Sequence, residues 1–224
     1  MTDPVLSLTG VSRTYNDGHP VMALRPTDLG LAQGDHVTIS GPSGAGKSTL
    51  LNILGLLDAP TEGSYRINGV ETRTLGEATR GAVRGQIFGF VFQAFHLLAG
   101  RSALENVELG MLYGPHSPRR RRQLARTALE RMRLGHRAHA DPRQLSGGEK
   151  QRVAVARAIA CEPRVLFCDE PTGNLDSENT AGVLDLLDEL HRDGLTVVVV
   201  THDHEIAARG RRRLRVVDGV VSAW

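Results

Sequence analysis

The chain has 224 residues, a length between one and two domains of ordinary size. Apolar residues make up 40% and charged residues 23%, which is ordinary for a globular protein and excludes a disordered or fibrous chain. Lysine and arginine number 27 against 25 aspartate and glutamate, so the net charge of +2 is too small for bulk attraction to nucleic acid or anionic lipid. We expect no direct nucleic acid partner.

Neither the cysteines nor the apolar runs indicate an exported or membrane-spanning chain. The two cysteines, Cys161 and Cys168, lie beside or inside an apolar segment, so we expect free, buried thiols in a reducing compartment. Residues 1–10 carry an early acid and an early proline without a long apolar stretch, so we expect neither a signal peptide nor a transit peptide. The longest aliphatic run, Val197–Val200, is far shorter than the roughly 20 residues that span a bilayer.

The first half of the chain begins with strands and tight turns. Loose alternation with β-branched residues predicts a strand over Val5–Tyr15, and a short aliphatic run predicts a second over Val37–Ile39. Leucines at helical spacing predict a helix over Lys47–Leu57 that begins inside a glycine-rich turn. The dipeptides Asn68-Gly69 and Asp218-Gly219 suit type I′ turns and predict small antiparallel hairpins.

The second half combines a helical stretch with two buried strands. Leu97–Ile159 is mostly helical in pattern, contains proline-marked turns, and reads as a helical insertion. Val165–Cys168 and Val197–Val200 are continuously apolar, as in strands buried on both faces, and Ala181–Leu190 between them has helical spacing. This order predicts a β-α-β unit and therefore an α/β fold.

A glycine-rich loop between the second strand and the first helix fits the phosphate-binding pattern G-x-x-x-x-G-K-[ST] in full. Its glycines let consecutive backbone N–H groups converge on phosphates, and the helix N-terminus adds positive potential. We expect Lys47 to be an exposed loop residue that reaches the β- and γ-phosphates, and the Ser48 hydroxyl to bind Mg²⁺. The sequence therefore predicts a nucleoside triphosphate bound by Gly41, Pro42, Ser43, Gly44, Ala45, Gly46, Lys47 and Ser48.

Two acids directly follow the first of the continuously apolar strands. Asp169 and Glu170 end the run VLFCDE, at the carboxyl end of a strand, where open α/β sheets bind their ligands. Asp169 is suited to hold Mg²⁺, and Glu170 is suited to polarise the water that attacks the γ-phosphorus. The alternative for Glu170 is a cap at the end of the strand.

A second helix start is a further candidate for phosphate binding. In the run LSGGEKQ, Ser146 is placed to cap a helix, and Gly147 and Gly148 allow a phosphate to approach the first N–H groups. The same pattern is equally typical of an ordinary capped helix. Its weight comes from the other motifs beside it.

Four motifs in order give the chain a resemblance to the ATP-binding subunits of ABC transporters over nearly its whole length. They are the phosphate loop, the signature LSGGEKQRVAVARAI, the run DEPTGNLDS over Asp169–Ser177, and TVVVVTHD, which ends at Asp203. Three sequence segments most resemble the ATP-binding subunits that serve macrolide export, lipoprotein release and FtsE-type cell division. They are Gly89–Leu98 (GFVFQAFHLL), Ala103–Val107 (ALENV) and the run GNLD.

The resemblance implies roles for single residues that contact the chain's own nucleotide. Tyr15 would stack on adenine, His202 would contact the γ-phosphate, and Thr49 would join Ser48 in the nucleotide-binding turn. Gln93 would sense Mg²⁺ and the attacking water. From the residues alone, Tyr15 also reads as a half-buried strand tyrosine and Gln93 as a surface glutamine at a strand end.

The resemblance further implies a homodimer. Ser146, Gly147 and Gly148 would bind the ATP held by the other subunit, and Asp176 would lie in a loop that communicates across the dimer. Two ATP molecules, each with Mg²⁺, would then be enclosed between two chains.

The implied fold is a single α/β ABC ATPase domain over residues 1–224. A RecA-like P-loop NTPase core with a mostly parallel sheet and antiparallel β additions would take residues 1–92 and 160–224, and a helical signature subdomain would take 93–159. ATP hydrolysis would power a separate membrane permease, contacted through a groove near Phe92–Leu98. The chain would lie in the cytoplasm, peripheral at the inner face of the cell membrane.

Several other interpretations compete with this one. A DNA-acting ABC-type ATPase would need long coiled coils, but residues 49–143 carry no sustained heptads. A P-loop kinase would explain Lys47 and Asp169 without the Ser146 segment. A zinc site at the triplet His202-Asp203-His204 would need further ligands, which the sequence does not supply. Envelope signalling of the cell-division type stays open, as do the cargo, its direction and the permease. We interpret the arginine runs 119–122 and 209–215 as solvated faces.

Overall fold

The computed structural model describes residues 4–224 as two compact units. The first comprises the described residues up to Gly81 together with Thr196–Trp224, and the second comprises Ala82–Leu195. The strands are β1 (Leu6–Asp17), β2 (His19–Leu31), β3 (His36–Ser40), β4 (Glu62–Ile67), β5 (Val70–Glu71), β6 (Phe88–Phe92), β7 (Val165–Asp169), β8 (Thr196–Val200), β9 (Arg212–Val217) and β10 (Val220–Ala223). The α-helices are α1 (Lys47–Leu54), α2 (Glu77–Ile87), α3 (Ala103–Leu109), α4 (Pro118–Arg131), α5 (Gly147–Ile159), α6 (Ser177–Arg192) and α7 (His204–Arg209).

Two of the sequence expectations stay outside this description. The expected lack of a leader segment rests partly on residues 1–3, which lie outside the described residues. The boundaries 1–92, 93–159 and 160–224 remain a prediction, although Leu97–Ile159 does contain α3, α4 and α5, with 3₁₀ turns at Gly135–Arg137 and Pro142–Gln144.

An antiparallel sheet in the first unit has the strand order β2-β1-β4-β5. β1 confirms the strand predicted over Val5–Tyr15 and pairs with β2 from Leu6↔Leu31 to Asp17↔His19. β2 has no counterpart among the predicted elements because Pro20 and Pro26 interrupt its pattern. Proline is tolerated at the edge of a sheet, where its missing N–H is not needed, and β2 is an edge strand.

The first unit also contains a group of parallel strands that carries the phosphate loop. β3 pairs in parallel with β8 on one side and with β9 on the other, and β10 runs antiparallel to β9. Every residue of β3 and β8 is buried, as the continuously apolar run Val197–Val200 predicts for β8. The loop therefore leaves the carboxyl end of a strand that neighbours hold on both sides.

Both predicted hairpins are present. Asn68 and Gly69 connect β4 to β5 with φ values of 48° and 78°, and Asp218 and Gly219 connect β9 to β10 with 48° and 75°. A type I′ turn needs positive φ at both central residues, which these residue types tolerate best.

The first helix is shorter than its leucine spacing predicts. α1 ends at Leu54, so the part of the prediction that extends to Leu57 is wrong. Gly55 is the C-cap, Leu56 has a left-handed φ of 55°, and Leu57 is exposed. A residue in the left-handed region after a C-cap is a common way to end a helix.

The second unit pairs two parallel strands with a helical layer. β6 and β7 run in register from Phe88↔Val165 to Phe92↔Asp169. α5 packs against β6 and against α3, α4 and α6. The ring centroids of Phe88 and Phe90 lie 5.3 and 5.6 Å from that of Phe167, so aromatic side chains of the two neighbouring strands contact each other. α2, which starts in the first unit, has no buried residue. Its sequence therefore has no apolar stripe from which the helix could be predicted.

The remaining expectations concern the surface and the thiols. Of the helices within residues 4–224, none has the length and apolar character to cross a membrane. Cys168 is buried and Cys161 is partly buried, and both are free thiols. Arg119, Arg120 and Arg122 are exposed, as are Arg211–Arg213 and Arg215.

Candidate functional site

The phosphate loop of the first unit runs from the end of β3 to the start of α1. Gly41, Gly44 and Gly46 have φ values of 148°, 75° and 104°, which side chains rarely allow. Gly46 is the N-cap of α1 and offers no side-chain oxygen, so the N–H groups of the first turn can donate to a phosphate. Among the other loop residues Pro42, Ser43 and Gly44 are exposed and Ala45 is buried.

Two of these glycines are required by backbone neighbours as well as by their φ. A Cβ at Gly41 would lie 2.0 Å from the carbonyl oxygen of Val216, and a Cβ at Gly46 would lie 2.3 Å from that of Ala23. The loop is also tied to the β9–β10 turn, where the Gly219 N–H donates to the Ala45 carbonyl over 3.0 Å. Backbone from β2, β9 and the β9–β10 turn therefore surrounds the loop.

Lys47 is buried rather than exposed, which corrects the expectation from the sequence. Its side chain folds back so that Nζ donates to the carbonyl oxygens of Gly41 and Pro42 at 2.8 and 2.9 Å. These bonds hold the ammonium inside the curve of the loop, and a third donor can serve a phosphate oxygen. Ser48 and Thr49 follow in the first turn of α1, with Ser48 exposed and Thr49 half-buried.

Tyr15 lies in a small polar cluster at the end of β1. Its hydroxyl donates to Asp58 Oδ2 at 2.8 Å, and the guanidinium carbon of Arg13 lies 4.5 Å from the ring centroid. Arg13 also forms an ion pair of 2.9 Å with Asp58 Oδ1. Because the Asp58 N–H donates to the Asn52 carbonyl over 3.1 Å, the cluster is tied to α1. Tyr15 is thus a half-buried ring held by two partners that sequence reasoning did not identify.

His202 follows the buried strand β8 and is exposed. Its neighbours are fixed, since the Thr201 N–H donates to the Ile39 carbonyl over 3.0 Å and Asp203 caps α7. Within residues 4–224, no group of three or more His, Cys, Asp or Glu side chains is arranged to hold a metal ion.

The second unit holds the acids. Asp169 is the last residue of β7, and Glu170 follows it with a left-handed φ of 48°. This φ is uncommon for a residue with a side chain, and strained backbone of this kind clusters at functional sites. Burial raises the pKa of the preceding Cys168 thiol well above its usual range, and the Asp169 charge raises it further, so the thiol stays neutral.

Gln93 lies just beyond β6 and is joined to the segment that follows Glu170. Its Nε2 donates to Asn174 Oδ1 at 3.3 Å, and Asn174 Nδ2 donates back to the Gln93 carbonyl at 2.9 Å. A Cβ at Gly173 would lie 2.7 Å from Gln93 Nε2, so glycine is needed for this approach. The predicted strand-end position of Gln93 is confirmed, and Asn174 is a partner that the sequence reading did not single out.

The signature run begins α5 as a capped helix. Ser146 accepts from the Glu149 N–H at 3.2 Å, and the Glu149 side chain accepts from the Ser146 N–H at 2.8 Å. This capping box occupies two of the terminal N–H groups, and the others in the first turn can serve a phosphate. Ser146 is exposed, Gly147 is half-buried and Gly148 is buried.

Asp176 caps the neighbouring helix α6. It accepts from the Asn179 N–H at 2.8 Å and from the Asn179 side-chain amide at 2.9 and 3.0 Å. The backbone bond first, and then the side-chain bond, lower the pKa of Asp176, so its carboxylate is ionised at neutral pH. Asn179 also approaches α5, because a Cβ at Gly148 would lie 1.9 Å from Asn179 Oδ1.

Gly148→Ala is therefore expected to push Asn179 off the α6 cap and lower the free energy of unfolding by about 1–3 kcal/mol. Denaturant titration should show a smaller loss for the same change in an Asn179→Ala background, because the clash is then absent. Gly182→Ala in α6 is the matched control: nothing lies within 4 Å of its Cβ, so we expect a gain of about 0.5–1 kcal/mol. Equal losses for Gly148→Ala in both backgrounds would contradict the proposed clash.

The predicted site residues are thus divided between the two units. Tyr15, the loop through Thr49 and His202 lie in the first, whereas Gln93, Ser146–Gly148, Asp169, Glu170 and Asp176 lie in the second. The predicted Mg²⁺ ligands Ser48, Gln93 and Asp169 supply hydroxyl, amide and carboxylate oxygens, the donor type that Mg²⁺ prefers. Their chemistry fits that ion.

Comparison with protein families and curated proteins agrees with the motifs. The ABC transporter family matches residues 24–173, more than half of the chain. The macrolide export ATP-binding/permease protein MacB 1/2 of Paracoccus denitrificans is 47% identical over 221 residues, 98% of this chain and 33% of that protein. The MacB of Rhodopseudomonas palustris strain HaA2 is 47% identical over 224 residues, 100% of this chain and 34% of that protein. The chain spans about a third of the length of these relatives.

Solved structures with the same fold confirm the predicted α/β class. The dimeric structure of MJ0796, a bacterial ABC transporter cassette, has a TM-score of 0.86 and 42% identity, with 97% of this chain and 98% of that chain covered. A post-hydrolysis state of that cassette, bound to ADP and Pi, has a TM-score of 0.86 and 41% identity over the same shares. The cbiO1 of Clostridium perfringens, part of the ABC transporter complex cbiONQ, has a TM-score of 0.87 and 27% identity, with 99% of this chain and 88% of that chain covered.

Proposed function

Since the chain belongs to the ABC transporter family, we propose that it binds and hydrolyses ATP in order to power a membrane permease. The observation that carries the proposal is the N-terminus of α5, where the capping box uses the N–H groups of Ser146 and Glu149 and leaves those of Gly147 and Gly148 for a phosphate. A P-loop kinase has no use for this second phosphate site. The phosphate loop around Lys47 then supplies the first.

The loop and its lysine bind the triphosphate. Lys47 and the N–H groups of the first turn of α1 contact the β- and γ-phosphates, while Tyr15 stacks on the adenine with Arg13 on its ring. Ser48, Gln93 and Asp169 would hold Mg²⁺, which would neutralise charge on the phosphates. His202 donates to the γ-phosphate.

Glu170 then assists the attack of water. Its carboxylate accepts a proton from the water as the water oxygen bonds to the γ-phosphorus, and the bond from that phosphorus to the leaving oxygen breaks. The products are ADP and inorganic phosphate. Gln93 orients the same water, and its two bonds to Asn174 keep it close to the segment that carries Glu170.

The active form is a homodimer. Ser146, Gly147 and Gly148 of one subunit bind the γ-phosphate of the ATP that the other subunit holds, and Asp176 contacts the partner across the interface. ATP closes the two subunits, and hydrolysis reopens them. The MJ0796 cassette, which is 42% identical, forms a dimer, and this supports the proposal.

The work is delivered to a permease. We propose that the segment Phe92–Leu98 contacts the permease. Arg157 donates to the carbonyl oxygens of His96 and Phe95 at 2.6 and 2.9 Å, so this segment is held to α5. The relatives named as macrolide export proteins support a role in export, with the chain peripheral at the cytoplasmic face of the membrane. Envelope signalling of the cell-division type is the second candidate, because the resemblance covers that group as well.

Phosphate release without any acceptor tests the proposal against the kinase alternative. We expect the purified chain to release inorganic phosphate from MgATP, with a rate that rises more steeply than protein concentration because two copies form the site. Size-exclusion chromatography of the Glu170→Gln variant should show dimers with ATP and monomers with ADP. A phosphoryl transfer that requires an acceptor, with no dimer under any nucleotide, would refute it.

A further inference from the structure

Gln151 is a buried polar residue that joins three of the motifs. It lies in α5, one helical turn after Gly147, with 0% of its surface exposed. Its Nε2 donates to the Pro171 carbonyl at 2.5 Å and more weakly to the Phe92 carbonyl at 3.4 Å. Both groups accept only, so the amide nitrogen must point toward them. One side chain thus connects α5 to the ends of β6 and β7.

The two carbonyls belong to peptides that flank proposed catalytic residues. Phe92 directly precedes Gln93, and Pro171 directly follows Glu170. Glu170 has a left-handed φ of 48°, and the bond from Gln151 to the carbonyl of the next residue restrains that backbone. Gln93 is further bonded to Asn174. Gln151 therefore restrains the backbone next to Gln93 and the backbone next to Glu170.

The other half of the amide is unused. Gln151 Oε1 is buried and has no hydrogen-bond partner within the described part of the chain. A buried acceptor without a partner is costly, and a methionine of similar size would avoid the cost. This unpaired oxygen argues that the nitrogen donor serves a purpose beyond packing.

We propose that Gln151 is a positioning residue for ATP hydrolysis, which holds Gln93 and Glu170 in place and makes their placement depend on α5. The inference rests on the proposed function. Since the N-terminus of α5 binds the partner's ATP, any shift of the helix on closure reaches the peptides beside Glu170 and Gln93 through one rigid amide. Attack on the γ-phosphate is then suited to the closed dimer alone.

Gln151→Met keeps the size of the side chain and removes the donor. We expect kcat for phosphate release to fall about 10- to 100-fold, because small misplacements of catalytic groups cost this much. The KM for ATP and the binding of ATP to the single subunit should change less than about 2-fold, since the phosphate loop is untouched. Gln123→Met, at an exposed helical glutamine of α4, is the matched control and should leave both parameters unchanged.

Gln151→Glu provides a second readout. A buried carboxyl is protonated at lower pH and then has one O–H that can donate to the Pro171 carbonyl, whereas the ionised form has no donor. The kcat of this variant relative to wild type should therefore fall as the pH rises. The charged groups of the same motifs, Asp169, Glu170, Glu149 and Arg152, are present in all variants, so wild type and Gln151→Met are run over the same pH range.

The outcomes separate this inference from the proposed function. If wild type releases no phosphate, the proposed function fails. If wild type is active and folded Gln151→Met has normal kcat, or loses kcat and ATP affinity together, Gln151 is a packing residue only. If Gln151→Met does not fold, the pH profile of Gln151→Glu decides, and a constant ratio to wild type overturns the inference.

Discussion

Replacing Glu170 with glutamine is expected to slow phosphate release by about 10²- to 10⁴-fold while ATP affinity stays within about 2-fold of wild type. The amide has the size of the carboxylate but cannot accept the proton of the attacking water. Steady-state phosphate release and calorimetric titration with MgATP measure the two quantities. The variant should also accumulate as an ATP-bound dimer in size-exclusion chromatography, because closure is retained and reopening is slow.

Glu162→Gln is the matched control for this change. Glu162 is an exposed glutamate with a similar left-handed φ of 54°, so the substitution tests the backbone context without touching the proposed site. It should leave phosphate release unchanged. Near-normal turnover of Glu170→Gln would remove Glu170 as the general base.

Lys47→Ala is expected to weaken ATP binding by at least about 100-fold, or about 2.8 kcal/mol. The variant loses the ammonium that contacts the β- and γ-phosphates and also the two bonds to the Gly41 and Pro42 carbonyls that shape the loop. The fold should persist, with the free energy of unfolding lowered by about 1–3 kcal/mol. Calorimetric titration and denaturant unfolding measure the two effects.

The chain contains only one other lysine, which provides the comparison. Lys150→Ala in α5 should leave the affinity of the single subunit for ATP unchanged, because it lies outside the phosphate loop. Unchanged ATP binding by Lys47→Ala, measured beside this control, would contradict the assignment of the loop.

The elements that the sequence predicts well are those whose own residues determine them. β7 and β8 each contain a run of four apolar residues, β3 contains the short run Val37–Ile39, and the two hairpins carry dipeptides that accept positive φ at both positions. The sequence does not predict β2, because it is an edge strand interrupted by prolines, and it does not predict α2, because that helix has no buried residue. The error at Leu57 has a local cause, since leucine spacing continues past a glycine that ends the helix.

The candidate site shows the same division. Motifs of fixed spacing predict the phosphate loop, the acids and the helix cap, but they do not predict the residues that bond to them. Asp58 bonds to Tyr15 and Arg13 from a distant position in the chain, and Gln151 joins two carbonyls that no sequence pattern marks. The burial of Lys47 is also a matter of tertiary structure, because the loop curls around its own ammonium.

The walls of the phosphate loop have a consequence for its use in design. Gly41 and Gly46 press against carbonyl oxygens of Val216 and Ala23, which come from opposite ends of the chain. An isolated peptide of sequence GPSGAGKS lacks both walls and, with three glycines, would sample many conformations. The loop sequence alone is therefore not enough to transfer the phosphate site to another protein, and a graft would have to include the supporting backbone.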